Sequence, residues 1–425
     1  MAKDPIIVGI DVGSSKICTL IATVKPEGEV NIIGAASVPS KGIKKSQVID
    51  IEEATEAITK SVEAAERMAG YSISSAIISV GGPHISCQNS HGVVAVSQPQ
   101  GEITYDDVER VIEAARAVSL PSSREIIHVL PRYFIVDSQK GIKDPIGMTG
   151  VRLEVETHII SGATTTMKNL VKCITELGID VEDLVFSGLA SAEAVLSETE
   201  KELGVVLVDI GGGTTSLCVF LEGSPAYSAV LPIGARNITA DLAIGLRVSL
   251  ESAEKIKLFL STPKKKVVKS EEKKEKKKEE EIDLSPLKLP EGLGKISKRT
   301  LMEGIIKPRL EEIFAYIREE LKKAELGGLT PAGVVLTGGG ARTVDIVEVC
   351  KKNLAMPVRV GAPQKISGLI DEVKTADFAT TCGLLLYKAR KQKTERGEGI
   401  KISFPKEGMR SLAKKIGDLI KSFMP

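Results

Sequence analysis

The sequence predicts an α/β protein in which one strand–turn–strand unit occurs twice, about half a chain apart. The first unit is IIVGIDVGSSKICTLIATV at 6–24, and the second is VVLVDIGGGTTSLCVFLEG at 205–223. In each unit an apolar strand ends in an aspartate, and a turn of glycine and hydroxyl residues leads into a second strand. A third stretch, AGVVLTGGGARTVDIVEVCKK at 332–352, places a strand and three glycines before an amphipathic helical pattern.

Length and composition exclude several classes of function. A chain of 425 residues with 42% hydrophobic and 27% charged residues is typical of a globular protein of two to four domains. Aromatic residues make up only 3%, tryptophan is absent, and the net charge is +1. Stacking on bases and whole-chain attraction to a polyanion are therefore disfavoured, so we expect no nucleic-acid partner.

Cysteine and histidine usage predicts a reducing compartment and no zinc site. The six cysteines are scattered singly, and the four histidines lack metal-ligand spacing. The start MAKDPIIVGIDVG has no cleavable signal pattern, and no uncharged stretch reaches about eighteen apolar residues. We expect a cytoplasmic chain that does not span a membrane.

The two repeated turns have the composition of a pair of phosphate clamps. Both lead from strand to strand, and neither offers the G-x-G-x-x-G pattern that opens a helix in dinucleotide sites. A glycine-rich hairpin can point several backbone N–H groups at one anion. Asp11 and Asp209 would repel phosphate, so their suitable role is to hold a hydrated Mg²⁺. The alternative is that both turns are plain hairpins capped by aspartate.

These three motifs together resemble the nucleotide site of the actin superfamily, which includes heat-shock chaperone ATPases and sugar kinases. The resemblance implies an actin-like fold with two RNase H-like halves around a cleft that binds ATP and Mg²⁺. It also implies that SGLASAEAVL at 187–196 and ADFATTCGLLLY at 376–387 form closely packed helices between the halves. The implied nucleotide-binding residues are Asp11, Gly13, Ser14, Ser15, Lys16, Asp209, Gly211, Gly212, Gly213, Thr214, Thr215, Glu254, Lys257, Gly338, Gly339, Gly340 and Arg342.

Two of these assignments have a strong alternative. Glu254 and Lys257 lie one helical turn apart, and the resemblance places them at the ribose and adenine. A surface ion pair explains the same spacing. No catalytic residue is firmly assigned; Asp11 and Asp209 are candidates for orienting water through Mg²⁺, so we expect slow ATP hydrolysis at most.

An inserted module narrows the resemblance to one branch. The segment 84–162 contains HISCQN, the helix TYDDVERVIEAARAV with Thr104 as its N-cap, and GIKDPIGMTGVRLE. With these strings it is similar to the extra α+β subdomain of the FtsA family of bacterial cell-division proteins. The resemblance implies four subdomains. Subdomain 1A spans 1–83 and 163–200 with 376–388, the inserted subdomain 1C spans 84–162, and subdomain 2A spans 201–235 and 325–375. Subdomain 2B spans 236–324 and contains a charged loop at 262–296; a flexible linker at 389–408 and a membrane-targeting helix at 409–425 follow.

The C-terminal stretch MRSLAKKIGDLIKSFM at 409–424 has one apolar stripe and a net positive polar face. A basic amphipathic helix on a polar tether is suited to an anionic membrane surface, and the FtsA family also ends in such a helix. A helix docked on the protein body is the alternative. The residues expected to contact the membrane are Leu412, Lys415, Ile416, Leu419, Ile420 and Phe423.

The resemblance also implies a partner for subdomain 2B, which in FtsA proteins binds the C-terminal peptide of FtsZ, the tubulin-like ring protein. The candidate contacts are Lys298, Arg299, Lys307 and Arg309; a solvated charged helix face is the alternative. Pro308 should kink this helix or mark a junction. Upstream, KKKVVKSEEKKEKKKEEE at 264–281 is expected to be a solvated insertion.

The resulting expectation is an ATP-binding actin-like protein that polymerises on the inner face of the plasma membrane at the division site. It would tether the FtsZ ring and recruit later division proteins through subdomain 1C. Two rivals remain: an actin-fold scaffold of pilus assembly, which shares the inserted module, and an actin-fold small-molecule kinase, which would need a substrate cleft with a catalytic carboxylate.

Overall fold

The computed structural model describes residues 4–97, 101–262, 281–368 and 371–395. Helices and strands are numbered in chain order. The first sheet has six strands in the order β11-β6-β1-β2-β3-β19. Their bounds are β1 (Ile6–Val12), β2 (Lys16–Val24), β3 (Val30–Pro39), β6 (Ser75–Val80), β11 (Asp180–Phe186) and β19 (Ile366–Gly368).

Helices pack on the first sheet and bury its apolar strands. The helices are α1 (Ile51–Ala69), α3 (Thr164–Thr175), α4 (Ser187–Val195) and α11 (Ala379–Glu395). Asp50 caps α1 by accepting a hydrogen bond from the Glu53 amide, and Gly70 ends the helix in the left-handed conformation. The buried side chains of these elements form one continuous hydrophobic cluster.

The second sheet has five strands in the order β14-β13-β12-β17-β18. They are β12 (Val205–Ile210), β13 (Thr215–Leu221), β14 (Ser224–Leu231), β17 (Val334–Thr337) and β18 (Val358–Val360). Across this sheet, β14, β13 and β12 pair antiparallel, and β12, β17 and β18 pair parallel. The first sheet has the same arrangement, in which β3, β2 and β1 pair antiparallel and β1, β6 and β11 pair parallel. The second half of the molecule therefore repeats the topology of the first, as the duplicated strand–turn–strand unit indicated.

Six helices of the described residues accompany the second sheet. They are α5 (Glu198–Leu203), α6 (Ala235–Leu246), α7 (Leu250–Ser261), α8 (Lys298–Leu301), α9 (Lys307–Lys323) and α10 (Ile346–Leu354). A π-helical turn, Met302–Ile306, joins α8 to α9. Pro308 lies in the first turn of α9, so the structure confirms that this proline marks a junction.

The inserted module is a separate antiparallel sheet, in the order β7-β10-β8-β9, covered by one helix. The elements are β7 (Ser86–Ala95), α2 (Tyr105–Arg116), β8 (Arg124–Val136), β9 (Gln139–Ile142) and β10 (Arg152–Ala163). Thr104 and Asp107 form the capping box that begins α2, as the sequence predicted. The helix lies so close to β7 that a side chain at Gly92 would collide with the Val111 carbonyl.

Two predicted boundaries differ from the structure. The charged loop expected at 262–296 is folded over its last part, because β15 (Glu281–Asp283) and β16 (Lys295–Ser297) pair and the side chains between them cover α7. Leu284 and Leu289, two apolar residues in a polar stretch, are buried there. The remainder, 263–280, lies outside the described residues.

The first residues of the flexible linker expected at 389–408 are helical instead, because α11 continues to Glu395. Its polar last turns are held by ion pairs that the sequence pattern could not reveal, such as Arg390 with Glu193 and Lys391 with Asp183. Residues 396–425, and with them the predicted membrane helix, lie outside the described residues. Among the helices that the structure describes, none is long and apolar enough to cross a membrane.

Candidate functional site

The two glycine-rich turns lie tip to tip between the two halves. Each is the turn of an antiparallel hairpin, as predicted, closed by Gly13 N–H to the Lys16 carbonyl (3.1 Å) and by Gly211 N–H to the Thr214 carbonyl (2.8 Å). A Cβ added at Gly212 would lie 2.7 Å from the Cβ of Ser15. Only glycine permits this approach, so the tips of the two turns are in contact; the place where they meet is called the cleft below.

The hydroxyl groups of the turns do not all face the cleft. Ser14 is buried and its Oγ accepts a hydrogen bond from the Ser46 amide (2.7 Å), while Thr215 donates to the Ile233 carbonyl (2.8 Å). Thr214 Oγ1 lies 3.1 Å from Ser46 Oγ. Ser15 is exposed. Ser46 belongs to the turn of a short hairpin, β4 (Ile43–Lys44) and β5 (Gln47–Val48), which the sequence analysis did not assign to the site.

Both aspartates are bound to hydroxyl groups outside their own turns. The Ser79 hydroxyl donates to Asp11 Oδ1 (2.5 Å). Ser191 and Thr380 both donate to Asp209 Oδ2, the latter at 3.0 Å. The turns are instead closed by the backbone bonds described above. The capping role that the alternative interpretation gave to the aspartates is therefore wrong, while the hairpins themselves are as predicted.

Burial makes the ionised forms of Asp11 and Asp209 unfavourable unless a positive charge lies nearby. It raises the pKa of Asp11, although the Ser79 hydrogen bond and the Lys16 charge oppose the rise. Burial also raises the pKa of Asp209 to about 6; the Ser191 hydrogen bond opposes this rise and the charge of Asp11 adds to it. Two neighbouring carboxylates that are costly to ionise are stabilised by a divalent cation.

The donor set fits a hydrated Mg²⁺ held together with phosphate better than a metal held by protein alone. Within the described ranges, no group of three or more His, Cys, Asp or Glu side chains is placed to hold a metal ion. Two carboxylates beside two glycine-rich turns would leave coordination positions for water and phosphate oxygens, as Mg²⁺ prefers. The residues therefore fit the predicted Mg²⁺–nucleotide pair.

The third glycine motif contacts the second aspartate. Gly338 has a φ of 80°, and a Cβ there would lie 2.2 Å from Asp209 Oδ1. The predicted order of strand, glycines and helix is confirmed, with a 3₁₀ turn, Gly339–Arg342, between the strand and α10, which begins at Ile346. A Cβ added at Gly340 would lie 2.4 Å from Ile210 Cγ2, so the 3₁₀ turn lies close against the end of β12.

A carboxylate that the sequence analysis did not single out joins two predicted cations. Lys16 Nζ lies 3.2 Å from Asp377 Oδ2 and 4.1 Å from the centroid of the Phe378 ring. Arg342 Nη1 lies 3.3 Å from Asp377 Oδ1. The available signal was an acidic residue at the start of ADFATTCGLLLY, the stretch interpreted only as a crossing helix.

Glu254 and Lys257 form an ion pair in which the Glu254 side chain is 41% exposed and Lys257 is buried. Lys257 is 8% exposed, and its Nζ contacts Glu254 Oε2 (2.7 Å) and Thr239 Oγ1 (2.9 Å). Thr239 belongs to α6, whose first residue, Ala235, donates its amide to the Gly211 carbonyl (2.9 Å). The pair therefore supports the helix that begins against the second turn.

The two predicted crossing helices, α4 and α11, pack directly on one another. A Cβ added at Gly383 would lie 1.8 Å from the Ala190 carbonyl oxygen, so the backbones touch. This confirms that small residues allow the close crossing. The hydroxyl groups of Ser191 on α4 and Thr380 on α11 lie 3.0 Å apart, and both donate to Asp209 Oδ2. The two crossing helices therefore contact the aspartate of the second turn directly.

The basic cluster around α8 and α9 is largely neutralised within the chain. Arg309 makes a bidentate pair with Asp241 (2.5 and 2.8 Å) and contacts Glu312. Lys307 pairs with Glu303 and Asp345. Lys298 and Arg299, the other candidate contacts, are exposed. The six candidate membrane residues, from Leu412 to Phe423, lie outside the described residues.

The sequence of this chain is similar to the sequences of cell-division proteins. A family model described as "SHS2 domain inserted in FTSA" matches residues 82–161, and one described as "Cell division protein FtsA" matches residues 206–383. The chain is 38% identical to cell division protein FtsA of Pseudomonas aeruginosa, with 91% of this chain and 90% of that protein covered. It is 36% identical to the Bacillus subtilis protein of that name (97% and 90% covered) and 35% identical to the Escherichia coli one (90% and 90%).

Solved structures confirm the actin-like fold. The PilM–PilN type IV pilus biogenesis complex matches with a TM-score of 0.63 at 15% identity, covering 90% of this chain and 98% of that chain. MreB5 of Spiroplasma citri bound to ADP matches with a TM-score of 0.52 at 14% identity, covering 92% and 98%. At these identities the likeness extends to the fold alone.

Proposed function

Because the chain belongs to the FtsA family of cell division proteins, we propose that it binds ATP and Mg²⁺ in the cleft, forms filaments on the inner face of the plasma membrane, and holds the FtsZ ring there. The observation that carries the nucleotide part is the contact between the two glycine turns, one from each half. A ligand bound between them must touch both halves at once.

In this proposal the phosphate chain takes its hydrogen bonds from the backbone amides of 13–16 and 211–214, and Lys16 supplies positive charge. Asp11 and Asp209 would hold Mg²⁺ through water. The bound Mg²⁺ would supply neutralisation of phosphate charge. Since no further acid or base is assigned in the cleft, hydrolysis would be slow and would serve to regulate association between copies of the chain.

The membrane part rests on the sequence of the C-terminal segment. Each of its apolar side chains offers about 1.5–3 kcal/mol on burial, and each lysine or arginine adds about 1 kcal/mol near anionic lipid. Ordering the helix offsets much of this, so one chain would bind weakly and reversibly. A filament presents many such helices at once, and multivalency then makes binding strong.

The FtsZ part is supported by a groove between α6 and the α8–α9 junction. The groove has a volume of about 370 Å³ and is lined by Asp241, Ile244, Gly245, Gly304, Ile305, Pro308, Arg309 and Glu312. Ile244, at 77% exposed, is the most exposed of the large apolar side chains in the described ranges. We propose that the FtsZ C-terminal peptide buries Ile244 and competes with Asp241 for Arg309. The inserted module would contact later division proteins.

The test is co-sedimentation of purified FtsZ with anionic phospholipid vesicles, ATP and Mg²⁺, in the presence of the full chain or of residues 1–405. The proposal predicts that FtsZ pellets with the full chain and stays in the supernatant with the shortened one. A second variant, Ile244→Asp, should bind vesicles normally and fail to bring FtsZ down.

If FtsZ pellets with neither form while the full chain itself reaches the vesicles, the FtsZ part is wrong. If the full chain stays in the supernatant, the membrane part is wrong. The two rival functions, a pilus-assembly scaffold and a small-molecule kinase, are disfavoured because the relatives at 35–39% identity are cell division proteins.

A further inference from the structure

Asp377 occupies a position in the cleft that the proposed function does not use. Its two carboxylate oxygens face different cations: Oδ2 lies 3.2 Å from Lys16 Nζ, and Oδ1 lies 3.3 Å from Arg342 Nη1. Lys16 follows the first glycine turn, and Arg342 ends the 3₁₀ turn after the third glycine motif. One carboxylate therefore bridges a cation of the first half to a cation of the second.

Backbone hydrogen bonds hold the segment that carries Asp377 against the third glycine motif. The Ala376 carbonyl accepts hydrogen bonds from the Gly338 amide (3.0 Å) and from Thr337 Oγ1 (3.3 Å). A Cβ added at Gly339 would lie 3.8 Å from the Cβ of Asp377. The short turn Ala376–Phe378 thus lies directly against the third glycine motif, at the point where α11 begins.

The surroundings keep Asp377 ionised. Its side chain is 20% exposed, and burial alone would raise its pKa. The Lys16 charge and hydrogen bonds more than offset this, so the pKa of Asp377 is lowered. The Lys16 ammonium in turn lies over the Phe378 ring, which favours the same position through a cation–π contact.

We propose that Asp377 is an internal counter-ion that the phosphate chain of a nucleoside triphosphate displaces from Lys16 and Arg342. This inference rests on the proposed nucleotide binding and deepens it. A polyphosphate and the Asp377 carboxylate both require the Lys16 ammonium, and a fixed negative charge beside a bound polyphosphate is repulsive. Asp377 therefore weakens binding of phosphate-bearing ligands and leaves binding of the uncharged nucleoside unaffected.

The functional consequence is that nucleotide binding replaces the Asp377 bridge between the halves with a bridge made by the phosphates. Without ligand, Asp377 holds Lys16 and Arg342 together; with ligand, the phosphates take over this role. The affinity for nucleotide is thereby lowered, because the ligand must break two ion pairs on entry.

The experiment is equilibrium dialysis of the full chain with ATP in Mg²⁺, and separately with adenosine, at low and high salt. Asp377→Asn keeps the shape of the side chain and removes its charge, while Asp377→Glu keeps the charge. Asp180→Asn is the matched control, since it removes the charge of an exposed carboxylate at the start of β11. Far-ultraviolet circular dichroism confirms that each variant is folded.

We expect Asp377→Asn to lower the dissociation constant for ATP about tenfold at low salt, with a smaller gain at high salt. Adenosine binding should not change, and the Glu variant and the control should both match the wild type. Equal or weaker ATP binding by Asp377→Asn, or an equal change for adenosine, would overturn the inference. If the wild type binds adenosine and ATP equally weakly, the proposed nucleotide function itself fails.

Discussion

At the scale of single residues, the cleft combines buried negative charge with close backbone contacts. Asp11 and Asp209 each accept hydrogen bonds from hydroxyl groups that belong to other elements. Gly212 and Gly338 lie where a Cβ would collide with Ser15 and with Asp209. The position of Asp209 thus depends on a glycine far from it in sequence, and both aspartates are held by side chains of other elements.

One residue-scale prediction concerns Gly383, where α11 touches α4. Gly383→Ala would place a methyl group 1.8 Å from the Ala190 carbonyl oxygen, so the helices must separate. We expect a loss of about 1–3 kcal/mol in the free energy of unfolding. Urea denaturation followed by circular dichroism measures it.

The matched control is Gly327→Ala, because no atom lies within 4 Å of a Cβ added at that glycine. Its free energy of unfolding should stay close to that of the wild type. Equal stability of both variants would show that α4 and α11 can move apart without loss of stability, and would contradict a tight crossing at Gly383.

A second residue-scale prediction concerns pH. Hydrogen bonds from Arg359, helped by Ser197 and opposed by burial, lower the pKa of Glu200 from 4.5 to about 2. Because the folded-state pKa lies below the unfolded one, the stabilisation is present above about pH 4.5 and is lost as the pH falls towards 2. Glu200→Gln should cost about 1–2 kcal/mol at neutral pH, since the pair is partly exposed.

The measurement is urea denaturation of the wild type and Glu200→Gln across a series of pH values from neutral to acid. The difference between the two free energies of unfolding should shrink as the pH falls below about 4.5. A difference that stays constant with pH would contradict the assignment of this stabilisation to the ionised carboxylate.

At the scale of elements, strand β14 connects the inserted module to the second half. His158 on β10 is fully buried, with Nδ1 2.7 Å from Asn89 Oδ1 and Nε2 3.0 Å from the hydroxyl of Ser228 on β14. Burial lowers the pKa of His158 to about 3, so the ring is neutral. It donates through Nδ1 to Asn89 and accepts from Ser228, which fixes the module against the sheet that carries the second turn.

Ser228→Ala tests this connection. It leaves His158 Nε2 buried without its donor, which should cost about 1–3 kcal/mol of stability. Amide hydrogen exchange should also become faster in β7 and β10 than in the first sheet. If protection falls uniformly, or does not fall at all, the contact does not couple the module to β14.

Several elements could be predicted from sequence because their signals are local. The two hairpins follow from apolar strands that flank glycine turns, and α2 follows from its capping box and apolar face. Contacts that depend on distant partners could not be predicted in this way. Asp377, Ser46 and the buried polar contact of His158 with Ser228 each join segments more than 30 positions apart.

The two corrected boundaries have the same physical origin. The polar stretch around 281–297 folds because a few leucines find a buried position on α7, and the last turns of α11 persist because their cations meet carboxylates of β11 and α4. Composition indicated solvated chain in both places. A polar sequence remains structured when its few apolar or charged groups find partners elsewhere in the fold.

At the scale of the whole molecule, two halves of the same topology meet at two turns, one helix crossing and one inserted module. The turns lie at the cleft, and the crossing of α4 and α11 is tied to Asp209 through Ser191 and Thr380. A ligand held between the turns would therefore act on the relative position of the halves through short, named contacts. This is the physical basis for proposing that nucleotide governs association between copies of the chain.

The most direct test of the central claim is equilibrium binding of ATP to the full chain, with and without Mg²⁺, compared with Gly212→Val. The added side chain would enter the space against Ser15, where even a Cβ would lie 2.7 Å from the serine Cβ. We predict saturable binding of one ATP per chain that requires Mg²⁺, is lost in Gly212→Val and is retained in Gly327→Ala. ATP binding of equal affinity in Gly212→Val would contradict the claim that the two turns form the nucleotide site.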